Sequence, residues 1–149
     1  MNRDGTILLA DDSEDDILLT RIAFERAGIK NSLQEAHNGE QTIAYLKGEA
    51  PYNDRARFPL PIILLMDLNM PRKNGCEVLT WLRAQKGLRR LPVIILSAST
   101  RVEDVTRAFD SGANSFLLKP SSLSELVAAI EALGNWMKFN YFPSLTADA

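Results

Sequence analysis

Hydrophobic and polar positions alternate along this chain between two kinds of run. Thr6–Ala10 is a short apolar stretch that stops at Asp11-Asp12, the mark of a buried strand. Ser13-Glu14-Asp15-Asp16 then reads as a capping-box-like helix start, in which the Ser13 oxygen accepts an amide of the first turn. Leu18 with Ile22, and Thr20 with Phe24 and Ala27, keep helical spacing until Gly28 ends it. Leu33–His37 predicts a weaker strand followed by an Asn38-Gly39 turn. Glu40–Lys47 predicts a short helix with Ile43 and Leu46 on one face, closed by Gly48.

The cycle then repeats. Ile62–Met66 reads as a strand, 69–74 as a loop, and Gly75 to Gln85 as a helix with Val78, Leu79 and Leu82 inward. Pro92–Leu96 predicts a fourth strand, and Val102–Asp110 a helix stopped at Gly112. Ser115–Leu118 predicts a fifth strand ended by Lys119-Pro120. Ser122–Leu133 is amphipathic, with apolar residues at 123, 126, 127, 130 and 133. The pattern is (βα)5. Ile62–Met66 and Val93–Leu96 are apolar on both faces, as a parallel sheet covered by helices on each side requires. The fold class expected is therefore α/β, one doubly wound domain around a five-stranded parallel sheet.

Length and composition narrow the picture. The chain has 149 residues, 46% of them hydrophobic, and a formal net charge of −2, which argues against disorder and against a chain-wide nucleic-acid footprint. The single cysteine, Cys76, forms neither an intramolecular disulfide nor a Cys-based zinc site, and packing is its expected role. Signal-peptide and membrane-span patterns are missing, so a cytoplasmic domain is expected. Average strands, helices and connections for this pattern need only roughly 121 residues. The surplus falls mainly in 48–61 and in the C-terminal 139–149, which are the expected places for a partner to bind.

Candidate chemistry sits where the strands end. In open α/β sheets, ligands bind beyond the carboxyl ends of the strands. Asp11 and Asp12 follow the first strand, Asp67 the third, Ser97 the fourth and Lys119 the fifth. Each alone has a plain structural reading, such as a solvated loop carboxylate, a strand-end turn serine or a solvated lysine. Together, three converging carboxylates would repel one another unless a cation joined them, and hard Mg²⁺ suits that donor set. Lys119 adds a point charge for phosphate and Ser97 a hydroxyl donor. A carboxylate nucleophile, a metal, a cation and a hydroxyl are the equipment for an aspartyl-phosphate intermediate. His37, the only histidine, reads as a solvent-side turn residue.

These residues carry a resemblance. The run Ile7–Asp12, Asp67-Leu68-Asn69-Met70-Pro71 with Asn74-Gly75, Ile95-Leu96-Ser97-Ala98, Gly112-Ala113 and Lys119-Pro120 together resemble the receiver domain of two-component response regulators. The resemblance covers about residues 5–135. It implies a flavodoxin-like strand order 2-1-3-4-5, with Asp67 accepting a phosphoryl group from a phosphohistidine on a sensor histidine kinase. It further implies Mg²⁺ held by Asp12 and Asp67 directly, by Asp11 through water and by the backbone carbonyl of Asn69. Ser97 and Lys119 would bind phosphoryl oxygens, and Ser97 with Phe116 would form the switch pair, although Phe116 also reads as an ordinary core aromatic. The side chains of Asn69 and Ser99 stand where the family tunes phosphoryl lifetime, and Lys119–Pro120 is expected to be cis.

A narrower similarity lies in Ala113–Pro120, the long segment before the third strand and the aromatic end. These resemble small stand-alone regulators paired with cyanobacterial and bacterial phytochrome kinases, which implies a homodimer and a light-sensing kinase as donor. The expected layout is a receiver at 1–138 and a C-terminal tail at 139–149. Trp136, Phe139, Tyr141 and Phe142 are the candidate interface, with folding back on their own domain as the alternative. Without an output domain in the chain, output is expected through an unidentified protein target rather than nucleic acid. The rival readings are a phosphohydrolase on a similar sheet and a binding module that is never phosphorylated.

Overall fold

The computed structural model describes residues 3–146, so residues 1–2 and the last three of the predicted tail lie outside the described part. Five strands and five helices alternate: β1 (Ile7–Ala10), α1 (Glu14–Arg26), β2 (Leu33–Ala36), α2 (Gly39–Lys47), β3 (Ile63–Met66), α3 (Gly75–Arg83), β4 (Val93–Ser97), α4 (Val102–Ser111), β5 (Ser115–Leu118) and α5 (Leu123–Phe139). The strands form one parallel sheet in the order β2-β1-β3-β4-β5, as expected. β3 sits at its centre, and β1 lies between β2 and β3, with Ile7 opposite both Leu33 and Ile63.

Period-two alternation divides the apolar strand residues between two cores. Leu8, Ala10, Leu64, Met66, Val93 and Ile95 face α2, α3 and α4, meeting Tyr45, Leu46, Val78, Leu79, Leu82 and Ala108. Ile7, Leu9, Ile63, Leu65, Ile94 and Leu96 face α1 and α5, meeting Ile17, Phe24, Leu126, Ile130 and Leu133. Side-chain caps set most of the helix starts. Ser13, Asn38, Asn74 and Ser122 each accept an amide of the first turn, and Glu77 completes a reciprocal box at α3.

α1 buries the stripe Ile17, Thr20, Ala23 and Phe24 and leaves Leu18 exposed. That stripe accommodates Thr20 because its hydroxyl donates to the Asp16 carbonyl at 2.8 Å. The last helix continues past Leu133, through Gly134 to Phe139. A Cβ at Gly134 would meet Ile29 Cδ1 at 2.9 Å, so the missing side chain lets α5 pass the end of α1.

The segment 48–61 packs against the core through Tyr52, Phe58 and Leu60. The Tyr45 ring is fully buried and meets Tyr52 and Phe58 with centroids 5.2 and 6.0 Å away. Its hydroxyl donates to the Pro59 carbonyl at 2.8 Å. Arg55 reaches back to the carbonyls of Tyr45 and Leu46, closing the end of α2. Burial pushes the Tyr45 phenol up to about 12, against a smaller downward pull from Arg55. A folded pKa raised above the unfolded value means stability that is whole below about pH 10 and is lost as pH climbs through 12. A rise from 10.0 to about 12 corresponds to roughly 2–3 kcal/mol. Urea unfolding at pH 8 and pH 11.5 should therefore show the parent losing about 2 kcal/mol more than Tyr45→Phe. Equal losses would refute this.

Among the described residues, no helix is long and apolar enough to cross a membrane.

Candidate functional site

The carboxyl ends of β1, β3, β4 and β5 bring five of the expected residues together. Asp11 is buried directly after β1, and its Oδ1 accepts the Ser13 amide at 3.0 Å. Asp12 beside it is exposed. Asp67 follows β3, and its Oδ1 takes the Asn69 amide at 3.4 Å. One oxygen from each of Asp11, Asp12 and Asp67 lies within 4.8 Å of the others. Ser97 is fully buried at the end of β4, where its Oγ accepts the Ser99 amide at 3.2 Å.

Lys119 crosses the sheet end from β5. Its Nζ lies 2.9 Å from Asp11 Oδ2 and 3.6 Å from Asp67 Oδ2. A third carboxylate, Asp16, holds the same nitrogen at 2.9 Å. Burial alone would lower the Lys119 pKa, but the hydrogen bonds to Asp11 and Asp16 and the charges of Asp67 and Asp11 outweigh it, and the ammonium is held well above its ordinary value. At Asp67 burial wins. It pushes the carboxyl up against the pull of Lys119, and the nearby charge of Asp11 pushes the same way. Three carboxylates with one lysine shared among them leave net negative charge at the sheet end. Hard oxygen donors at this spacing fit a divalent cation.

The remaining candidates divide. Asn69 is exposed two positions beyond Asp67. The Ser99 hydroxyl instead donates to Asp104 Oδ2 at 2.5 Å, which holds the Asp104 carboxyl below its usual range. Phe116 is half-buried, opposite Ile95 on β4 and packed against the core on the α4 side. Cys76 packs against the same core, and His37 is half-exposed with Nε2 3.7 Å from Glu35 Oε1.

Two expectations are corrected. The cis peptide among the described residues is Ala50–Pro51, and Lys119–Pro120 is trans. Trans is the isomer an X–Pro bond prefers by about 0.5–1 kcal/mol, and from it Lys119 reaches its three carboxylates. Of the four proposed interface aromatics, Trp136, Phe139 and Tyr141 are exposed, but Phe142 turns inward. The chain leaves α5 in an extended conformation at Asn140, which folds Phe142 edge-on against Trp136 with centroids 5.8 Å apart. Leu145 then packs on the core, and the Thr146 amide donates to Gly87.

Asp16 was missed as a site residue because Ser13–Asp16 reads so readily as a helix start. Helical spacing from Asp12 gave no signal either, since Asp12 precedes the N-cap Ser13 and lies outside α1.

The chain is similar to solved response regulators. The response regulator RPA3017, described in red light signalling of R. palustris, superposes with a TM-score of 0.89 at 38% identity, over 94% of this chain and 99% of that one. The phosphorylated cyanobacterial phytochrome response regulator RcpA superposes with a TM-score of 0.85 at 29% identity and the same coverage. Response regulator Rcp1 of Synechocystis is 28% identical over 144 residues, 96% of each chain. Its Mn²⁺-bound structure superposes with a TM-score of 0.83, over 94% of this chain and 99% of that one. The response regulator receiver domain, as a family, matches residues 7–131. With the strand order and the acidic strand ends already in place, the chain belongs to the response regulator receiver family, a signalling domain whose general function is phosphoryl acceptance.

Proposed function

We propose that Asp67 accepts a phosphoryl group from a phosphohistidine on a sensor histidine kinase, directly or through a phosphotransfer protein. One observation carries this reading: Asp67 stands at the end of β3 with oxygens of Asp11 and Asp12 within 4.8 Å and the Lys119 ammonium at 3.6 Å. An oxygen of the Asp67 carboxylate attacks phosphorus, and the P–N bond breaks. The electron pair stays on the imidazole nitrogen, which takes a proton from solvent, and an acyl phosphate remains on Asp67. Lys119 and the Ser97 hydroxyl take the phosphoryl oxygens, neutralising charge where it builds.

Asp11, Asp12, Asp67 and the backbone carbonyl of Asn69 would hold Mg²⁺, which supplies charge neutralisation to carboxylates and phosphoryl oxygens. The Mn²⁺-bound form of Rcp1 supports a divalent site in a relative. Asn69 and Ser99 set how long the acyl phosphate lasts, and the Asp104 contact implies that Ser99 acts through the start of α4. Ser97 and Phe116, on adjacent strands, form the switch pair. The chemistry is confined to the chain's own Asp67, as self-phosphorylation and autodephosphorylation. RcpA, a phytochrome response regulator, and RPA3017, described in red light signalling, favour a phytochrome kinase as donor, and we place the chain in the cytoplasm.

Output runs through protein contacts rather than nucleic acid, and we place a homodimer contact on Trp136, Phe139 and Tyr141. Exposed aromatics in such a cluster favour an interface. Phe139→Ser with Tyr141→Ser should lower the solution mass towards that of one chain. An unchanged mass in light scattering would remove them from the contact.

Phosphoryl acceptance itself is tested by intact mass after incubation with acetyl phosphate. One phosphoryl adduct is expected with Mg²⁺ and none with EDTA. Continuous turnover of phosphoesters would favour the hydrolase, and no adduct with any donor the unphosphorylated binding module.

A further inference from the structure

We propose that Asp16 is a positioning residue for phosphoryl acceptance: together with Asp11 it holds two of the three N–H donors of Lys119, so that the third faces Asp67. This rests on Asp67 being the phosphoacceptor and assigns a role to a residue outside the expected set.

An ammonium has three donors and no acceptor. At Lys119 two of them are used at charge-assisted length, 2.9 Å to Asp11 Oδ2 and 2.9 Å to Asp16 Oδ2. The separation of 3.6 Å to Asp67 Oδ2 is an ion pair without a hydrogen bond. Lysine is a point charge on a flexible four-carbon stem, and a single anchor at Asp11 would leave it free to swing about that contact. The second anchor comes from a different element. Asp16 is fixed in the first turn of α1, with its amide on Ser13 Oγ at 3.2 Å and its carbonyl accepting the Thr20 hydroxyl at 2.8 Å.

The two anchors set both direction and distance. They aim the spare N–H at the position of a phosphoryl oxygen on Asp67. They also hold Nζ back from the Asp67 carboxylate, leaving an oxygen uncovered for attack on phosphorus. Asp16 lies outside the close group of Asp11, Asp12 and Asp67, so its role runs through Lys119 and not through a metal ion. Its side chain touches neither the acceptor nor the incoming phosphorus, which makes it a positioning group and not a catalytic one.

The test uses the full chain with acetyl phosphate at saturating Mg²⁺, following the phosphoryl adduct by intact mass. Asp16→Ala should lower the maximal rate about tenfold with the half-saturating acetyl phosphate concentration unchanged, since small misplacements of a positioned group cost this order of rate. Asp16→Asn keeps an oxygen acceptor for Nζ and should restore most of the rate. In a Lys119→Ala background, adding Asp16→Ala should cost nothing further. Should Asp16→Ala fail to fold, Asp16→Ser, too short to reach Nζ, takes its place with the same expectations. A rate equal to the parent's, or the same loss with and without Lys119, overturns the positioning role. A parent chain that takes up no phosphoryl group overturns the receiver reading beneath it as well.

Discussion

Asp67→Asn is expected to stay at its unmodified mass under conditions in which the parent chain gains one phosphoryl group. The substitution preserves shape and removes only the nucleophile, because a neutral amide oxygen does not form the acyl phosphate. Lys119, Ser97, Asp11 and Asp12 remain in place, so a positive result in this variant would transfer the acceptor role to another side chain and sink the assignment. The same variant has a second signature. Burial and the charge of Asp11 raise the Asp67 pKa in the fold, so at neutral pH the ionised Asp67 lowers stability in the absence of a cation. Asp67→Asn should therefore unfold at higher urea than the parent when EDTA is present. With Mg²⁺ at a hundredfold excess over its dissociation constant the parent should gain about 2.7 kcal/mol, and the variant much less. Chelation would then erase the parent's gain alone.

Arg83→Ala should be the most destabilising surface-proximal substitution in the chain. All five guanidinium donors of Arg83 are used: two on the Gly112 carbonyl at 3.0 and 2.7 Å, one each on the carbonyls of Arg89 and Leu91, and one on Asn114 Oδ1. Asn114 Oδ1 in turn accepts the Val93 amide at 2.7 Å. One side chain thus ties the end of α3 to the start of β4, the end of α4 and the start of β5. Gly112 fits this knot because its φ is +118° and a Cβ there would fall 2.7 Å from Arg83 Cγ. Removing the guanidinium leaves several carbonyls without donors and should cost about 3 kcal/mol, or roughly 10 °C in midpoint for a chain of this length. Arg83→Lys should recover only part, having three donors and no planar fork. Urea and thermal unfolding decide it, and a loss below about 1 kcal/mol would mean that water replaces the bonds.

Much of the site was legible because strand ends are legible. Asp67 directly behind Ile62–Met66, and Lys119 directly behind Phe116-Leu117-Leu118, announce themselves as charges at the margin of a buried strand. Local pattern could not show which charges meet across the sheet. Asp16 satisfies every rule for a helix start, yet its carboxylate is committed to a lysine 103 positions away. Arg83 looks like the ordinary basic end of a helix, where cations are favoured, yet three of its five bonds reach Gly112 and Asn114, 29 and 31 positions away. The tail aromatics looked equivalent in the chain, but the extended exit from α5 at Asn140 leaves Tyr141 exposed and Phe142 half-buried.

The order and type of the elements, the doubly covered sheet and the acidic, serine and lysine strand ends all follow from the chain itself. Periodicity and the cost of burying bare charge are local properties that any segment displays. Three things came only with the tertiary structure: the 2.9 Å hold of Asp16 on Lys119, the aromatic packing of 48–61 beneath Tyr45, and the Arg83 knot. Each joins groups from different elements, and such distances arise only once helices and loops pack against a common sheet.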